Sequence, residues 1–253
     1  MLKYIFALTN GVKMNKKRLV ILSGSGVSAE SGIKTFRDND GIWENYRIEE
    51  VCTQNAWRSN PELVIDFYNE RRAQLAGVKP NSAHLDIASL EKDFDVQIIT
   101  QNVDNLHERA GSTNILHLHG ELTKVRPENC YNEKDNFNTD SIIEIGYEPI
   151  DIGDLASNGA QLRPHIVWFG EAVPNIDKAI DVVELADLLL IIGTSLMVYP
   201  ASGLYQYAKR DCPIWIIDPK PINIKDKRVI HIQEKATIGM KIFKSQITKY
   251  LSH

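Results

Sequence analysis

Two histidines one residue apart, in Leu116-His117-Leu118-His119-Gly120, close a short apolar run. Alternate side chains of an extended strand share a face, so His117 and His119 are expected to point the same way. Such a pair could ligate a metal, supply a general base near neutral pH, or be two hydrogen-bonded structural imidazoles. A catalytic zinc needs a third ligand, and Cys130, the nearest soft one, has no Cys-x-x-Cys partner. Upstream, Thr100-Gln101-Asn102-Val103-Asp104-Asn105-Leu106-His107 follows Val96–Ile99 directly. Polar groups just past a strand's carboxyl end stand where open α/β sheets bind ligands, and could hydrogen-bond a ribose or an amide. Asn102 or Asp104 could equally cap a helix.

The run Leu19–Leu22 leads into Gly24-x-Gly26-x-x-Ala29. Backbone amides in such a turn can approach a pyrophosphate, with a helix N-terminus behind them, but similar turns also occur without a ligand. A hydride-transferring unit would need a second strand ending in an acidic residue about 20 positions on. The chain has instead the polar loop Thr35-Phe36-Arg37-Asp38-Asn39-Asp40-Gly41-Ile42-Trp43, which argues against a dehydrogenase. Gly193-Thr194-Ser195, after Leu188–Ile192, makes another loop on the ligand side or an ordinary strand-to-helix turn.

Positioning these groups requires a sheet. Leu19–Leu22, Val96–Thr100, Ile115–Leu118, His165–Phe169, Leu188–Ile192, Ile214–Ile217 and Val229–Ile232 read as strands, several without polar alternation, as parallel strands covered on both faces should. Ser82–Phe94, Asp177–Leu185, Ala201–Lys209 and Ile238–Leu251 read as helices between them. The fold class is therefore α/β, a Rossmann-like doubly wound, mostly parallel sheet. Residues 38–78 and 121–163 interrupt the alternation and read as a smaller inserted module, leaving 14–37, 79–120 and 164–253 to the sheet domain and 1–13 as a tail before Met14. The first insertion holds one clear helix, with Asn60 as its cap, Pro61 at its first position and Gly77 at its end. The second is polar and irregular.

That helix carries Val64, Tyr68, Arg71 and Leu75 as one stripe, so Tyr68 and Arg71 are expected to project toward one cavity. A phenol beside a guanidinium suits a carboxylate, although an arginine stacked under a tyrosine and paired with a nearby acid would look the same.

Composition sets the bounds. The chain has 253 residues, 43% of them hydrophobic, and a net charge of −4. That supports one full core and disfavours nucleic-acid binding. No apolar run approaches the roughly 20 residues that span a bilayer. Cys52, Cys130 and Cys212 are far apart and odd in number, which fits a reducing, cytoplasmic setting.

Taken in order, Gly24 to Ile33, Thr35-Phe36-Arg37, Gln101-Asn102-Val103-Asp104, His117-Leu118-His119-Gly120, Val167-Trp168-Phe169-Gly170-Glu171 and Gly193-Thr194-Ser195-Leu196 resemble the sirtuin family of NAD-dependent protein lysine deacylases. The resemblance is strongest to the bacterial branch that removes acidic acyl groups as well as acetyl. It implies NAD with its pyrophosphate on Gly24, Ser25 and Gly26, where Ser25 replaces the usual alanine. Phe36 would shield the nicotinamide and Arg37 would hold the loop. Gln101, Asn102 and Asp104 would line the nicotinamide–ribose pocket, and Ser195 would support the distal ribose. Asp218 and Ala236 would contact the adenosine. Glu30, Thr35, Trp43, Gly193 and Thr194 complete the implied cofactor set. The acyl oxygen would attack C1′ of the ribose as nicotinamide leaves, and His119, with Asn102, would be catalytic, the imidazole activating a ribose hydroxyl.

The same resemblance places the acyl-lysine peptide as an added strand against Val167, Phe169 and Gly170 on one side and Leu196–Val198 on the other. Tyr68-Asn69-Glu70-Arg71 matches the Tyr-x-x-Arg of desuccinylating members, with the small residue Cys52 leaving room. The chain departs from the family's four-cysteine zinc module. No zinc is therefore expected, with Ile142, Ile143, Ile145, Tyr147 and Ile150 holding that module instead. A monomer is expected. Mono-ADP-ribosyl transfer and a silent NAD or ADP-ribose-binding module are the alternatives.

Overall fold

The computed structural model describes residues 16–34, 42–43, 46–129 and 139–251, with only the backbone described at 42, 43 and 139. Eleven strands lie among them: β1 Arg18–Ser23, β2 Ile42–Trp43, β3 Tyr46–Arg47, β4 Asp95–Thr100, β5 Ile115–His117, β6 Gly120–Pro127, β7 Ile143–Glu144, β8 Leu162–Ile166, β9 Leu188–Ile192, β10 Ile214–Ile217 and β11 Val229–Ile232. The α-helices are α1 Ile48–Val51, α2 Gln54–Ser59, α3 Pro61–Gly77, α4 Ser82–Ser89, α5 Leu106–Arg109, α6 Ile176–Glu184 and α7 Ala236–Ile247.

Six strands form one sheet in the order β11-β10-β9-β1-β4-β5, every pairing parallel. Numbered by their appearance in this sheet, that is the dinucleotide-binding order 3-2-1-4-5-6 seen from the β5 edge. The apolar runs follow from burial on both faces. Leu19, Ile21, Val96, Ile98, Leu188 and Leu190 enter one core, closed by Ala83 and Ile87 of α4 and by Ala236, Met240 and Phe243 of α7. Their neighbours Val20, Leu22, Ile99, Leu189 and Ile191 enter the opposite core, closed by Ala179 and Val183 of α6 and by Ala201 and Leu204.

A third apolar cluster draws on both interrupting segments. Val51, Trp57, Val64, Phe67 and Tyr68 meet Leu122, Val125, Ile150, Ile166 and Trp168. Helix α3 begins as its cap requires, with the Asn60 carboxamide oxygen accepting from the Leu63 amide at 3.2 Å.

Several local expectations are corrected. The supposedly irregular segment contains β6, which pairs antiparallel with β7 and β8 in a three-stranded sheet. The strand expected at His165–Phe169 runs instead over Leu162–Ile166, because Leu162, Arg163 and Pro164 pair with Pro127, Arg126 and Val125. Ala201–Tyr207 is a 3-10 rather than an α-helix. Ile150 is buried, but Ile143 and Tyr147 are exposed and do not hold this segment together.

Candidate active site

The sheet's strand order reverses between β1 and β9, which opens a crevice at their carboxyl ends. Two glycine loops meet there. The Gly24 amide donates to the Ile192 carbonyl at 3.0 Å, and the Gly26 amide to the Gly193 carbonyl at 2.8 Å. A Cβ on Gly24 would stand 2.7 Å from the Thr194 Cβ, and one on Gly26 2.8 Å from the Gly193 Cα. These glycines are therefore needed first for loop-against-loop contact, a demand the turn motif alone does not reveal. Gly193 adopts φ +66° and a Cβ there would run into the Val27 amide nitrogen. Gly193→Ala is expected to lower Tm by several degrees and to abolish NAD binding, as measured by thermal unfolding and titration calorimetry.

Beside this crevice the two histidines separate. His119 Nδ1 lies 3.1 Å from the Gln101 carbonyl oxygen. A carbonyl can only accept, so Nδ1 carries the proton and Nε2 keeps its lone pair. Burial lowers the pKa of His119 below the usual imidazole value, the carbonyl offsetting this only in part. His119 is thus neutral at pH 7. His117 has Nδ1 3.0 Å from the Asn102 carbonyl and Nε2 2.8 Å from a Glu108 carboxylate oxygen. Burial pulls its pKa down, but the Glu108 hydrogen bond and charge outweigh burial and raise it. One ring keeps a free lone pair to accept a proton, and the other is hydrogen-bonded at both nitrogens. Among the described residues no group of three or more His, Cys, Asp or Glu side chains could hold a metal, and Cys130 lies outside them.

The strand-end polar residues are held by one another. Ser28 Oγ donates to Asp104 Oδ2 at 2.9 Å and accepts from Asn102 Nδ2 at 3.1 Å. Asp104 Oδ1 accepts from the Leu106 amide at 3.0 Å, a local turn just ahead of α5, whose N-cap position is Asn105. Burial nevertheless pushes the Asp104 carboxyl above its usual range. Gln101 Nε2 donates to Thr194 Oγ1 at 3.1 Å, which links the His119 strand end to the Gly193 loop. Below them His84 and His107 pack edge to face, centroids 5.1 Å apart, and burial keeps both neutral, His84 with a pKa of about 4. Asn81 Nδ2 donates to the Val27 carbonyl at 2.8 Å and ties α4 to the glycine turn. Ser28 and His107 lie in the two motif stretches of the sequence, whereas no sequence pattern singles out His84 or Asn81. The residues present suit a dinucleotide: Gly24 and Gly26 project no side chain beside Ser25, and the carboxamides and carboxylate are already oriented.

The remaining predicted cofactor residues divide. Glu30 reaches α7, its two oxygens accepting from the Thr237 amide at 3.0 Å and the Thr237 hydroxyl at 2.9 Å. Its carboxylate is thereby spent on a helix N-terminus, which accounts for it without a ligand. Asp218 is buried past β10, with Oδ1 accepting from the Lys220 amide at 2.9 Å. Ala236 is buried at the start of α7, and Ser25 and Ser195 are half-buried in the two loops. Thr35, Phe36 and Arg37 lie outside the described residues, and Trp43 is described by its backbone alone.

On the substrate side, the amides of Val167, Trp168 and Phe169 are all spent internally. They donate to the His119 carbonyl, Glu171 Oε2 and the Cys52 carbonyl, each at 2.9 Å. Phe169 is 47% exposed and Gly170 sits at φ +87°. Tyr68 and Arg71 do not share a cavity as expected. The Tyr68 hydroxyl accepts from Trp168 Nε1 at 3.1 Å, inside the third cluster. Arg71 lines a small cavity of about 40 Å³ with Ile33, Lys34, Val103, Asp104 and Leu122. Its Nη2 meets Glu70 at 2.9 Å, as the stacked-and-paired alternative allows, while Nε and Nη1 are buried without a partner.

A parallel sheet in the dinucleotide-binding order, with a neutral imidazole held against the Gln101 carbonyl past its strand ends, defines a class: the Rossmann-like dinucleotide-binding proteins. Comparison with known proteins narrows the class. The sequence profile of the Sir2 family matches residues 24–200. An NAD-dependent protein deacylase of Helicobacter pylori is 57% identical over 226 residues, covering 89% of this chain and 95% of that protein. Another from Bacteroides thetaiotaomicron is 54% identical over 221 residues, covering 87% and 92%. A Sir2 homologue crystallised with NAD superposes with TM-score 0.79 at 39% identity, covering 94% of this chain and 91% of that one. A Sir2 complex with a p53 peptide and NAD+ superposes with TM-score 0.71 at 26% identity, covering 91% and 93%. The chain belongs to the Sir2 family.

Proposed function

We propose that this chain removes succinyl and malonyl groups, as well as acetyl groups, from protein lysines. It is an NAD-dependent protein deacylase. The observation that carries the catalytic assignment is the neutral His119, with Nδ1 committed to Gln101 and Nε2 open beside the crevice. NAD, consumed as a co-substrate, supplies an electrophilic ribose carbon. His119 Nε2 takes a proton from a ribose hydroxyl, which turns that oxygen on the acyl carbon. Asn102 and Asp104, locked through Ser28, hold the ribose and nicotinamide end without reorganising.

The acyl-lysine peptide docks as an added strand on the carbonyls around Val167 and Phe169 and on Gly170, since the amides there are already used. Main-chain pairing of this kind tolerates many substrate sequences. Arg71 supports the acidic-acyl reading, because two of its buried guanidinium nitrogens lack an acceptor. We further assign a monomer working in the cytoplasm, in keeping with the free, buried thiols Cys52 and Cys212. Among the described residues no helix is long and apolar enough to cross a membrane.

Incubation with NAD and either succinyl- or acetyl-lysine peptide, followed by mass spectrometry, tests the assignment. Free lysine peptide together with acyl-ADP-ribose is expected from both. An ADP-ribosylated protein product, or no product, would replace this reading with transferase or binding-module function.

A further inference from the structure

We propose that His117 is a positioning residue for Asn102: its ring clasps the Asn102 carbonyl, and Glu108 takes that clasp away when the ring is left with one proton. The inference rests on the reading of Asn102 as a group that holds the ribose and nicotinamide end of NAD. Two imidazoles meet two successive carbonyls at this strand end. His119 Nδ1 stands 3.1 Å from the carbonyl oxygen of Gln101, and His117 Nδ1 3.0 Å from that of Asn102. Asn102 is only 6% exposed, so water is a poor substitute for the ring. The rest of the residue is held as closely. Its amide donates to Thr100 Oγ1 at 3.1 Å, and its carboxamide Nδ2 donates to Ser28 Oγ at 3.1 Å. Of these three contacts, the one from His117 depends on a ring proton.

Both partners of the His117 ring are acceptors. A carbonyl has no proton to give, and neither has an ionised carboxylate. The contacts at 3.0 Å to Asn102 and 2.8 Å to Glu108 therefore coexist only while both ring nitrogens carry hydrogen. A ring with one proton must give up one of them. The charged acceptor holds the proton more strongly, so it stays on Nε2 and the Nδ1 lone pair faces the Asn102 oxygen. The backbone beneath the ring is pinned, since the His117 carbonyl accepts from Asn175 Nδ2 at 2.9 Å and His117 is in register with Thr100 of β4. The surrounding charges set where this exchange falls. Glu108 on α5 and, more weakly, Glu121 on β6 favour the doubly protonated ring against burial. Lys124 on β6 and Lys178 on α6 line the same cavity of about 740 Å³ and oppose it. Burial keeps His165 on β8 and His107 on α5 neutral, and Asp104 adds its carboxyl just ahead of α5. His117 and Glu108 both line that cavity, which connects the pair to solvent.

The pH dependence of deacylation of an acetyl-lysine peptide carries the test. Activity is expected to fall at alkaline pH, above the ordinary imidazole value of about 6.5, as His117 gives up its second proton. Glu108→Gln should remove this alkaline limb. A carboxamide can donate to the Nε2 lone pair, so the neutral ring keeps its Nδ1 proton on Asn102. His117→Leu should lower kcat about tenfold at pH 7 and slow exchange of labelled nicotinamide into NAD in parallel, because Asn102 serves the nicotinamide end. In the unaltered protein, proton–nitrogen correlation spectra of the His117 ring should place its last proton on Nε2 at alkaline pH. An alkaline limb that survives in Glu108→Gln, or nicotinamide exchange left at the wild-type rate in His117→Leu, overturns the inference. A last proton found on Nδ1 overturns it without any variant. If Asn102→Ala leaves both exchange and deacylation unchanged, the role given to Asn102 has itself failed, whatever the ring does.

Discussion

His119→Ala is expected to cut the deacylation kcat by about 10³-fold while leaving exchange of labelled nicotinamide into NAD readily detectable. The two readouts divide because the imidazole acts after nicotinamide has left. Its proton acceptor, Nε2, is needed only when the ribose hydroxyl turns on the acyl carbon, and loss of the ring leaves the glycine loops and the Ser28–Asn102–Asp104 network in place. The pH profile supplies an independent check. The base works unprotonated, so activity falls as pH drops through the pKa of His119. Burial lowers that pKa, so the acid limb should lie below pH 6.5, the ordinary imidazole value. His117, whose pKa the Glu108 carboxylate raises, should titrate above the ordinary imidazole value and so should not supply this limb. Equal loss of exchange and deacylation in His119→Ala would move the imidazole's role to cofactor binding.

The two histidines also show where sequence pattern stops. Their spacing places both on the end of one strand, and either could be the base. What separates them is the acceptor at the second ring nitrogen, which for His117 is Glu108, a residue on α5 that no periodicity points to. The sheet was legible because strands buried on both faces cannot hide their composition: Leu188 to Ile192 are uniformly apolar. Strand β6 was not, because Arg126 is buried within it at 1% exposure, neutralised by Glu171 from a distant segment. A charged residue reads as solvent-facing until its partner is known. The glycine turn was read correctly as special, but half its reason, the abutting Gly193 loop, is contact between segments far apart in the chain. Glu30 shows the converse, since a carboxylate within the glycine-turn motif also holds the N-terminus of α7, a contact the motif does not announce.

Arg71→Met should abolish most desuccinylation, lowering kcat/KM by about 100-fold, while deacetylation changes little by comparison. The size follows from what the guanidinium offers. Its Nε and Nη1 are buried with no acceptor in the free protein, an arrangement that costs stability unless a ligand completes it. A carboxylate would take the Nη1–Nη2 or the Nε–Nη2 edge, sharing or displacing Glu70 at Nη2 and satisfying one of the unpartnered donors, at a site where the side chain is only 12% exposed and water competes weakly. Methionine fills a similar volume and keeps apolar contact with Phe67 but offers no donor. The same argument gives the opposite sign for stability. Removal of two unsatisfied buried donors should raise Tm by about 2 °C, even though the Glu70 contact is lost. Loss of desuccinylation together with a gain in stability would mark Arg71 as a residue kept for its substrate. Equal loss of both deacylations, or a lower Tm, would mark it as part of the scaffold.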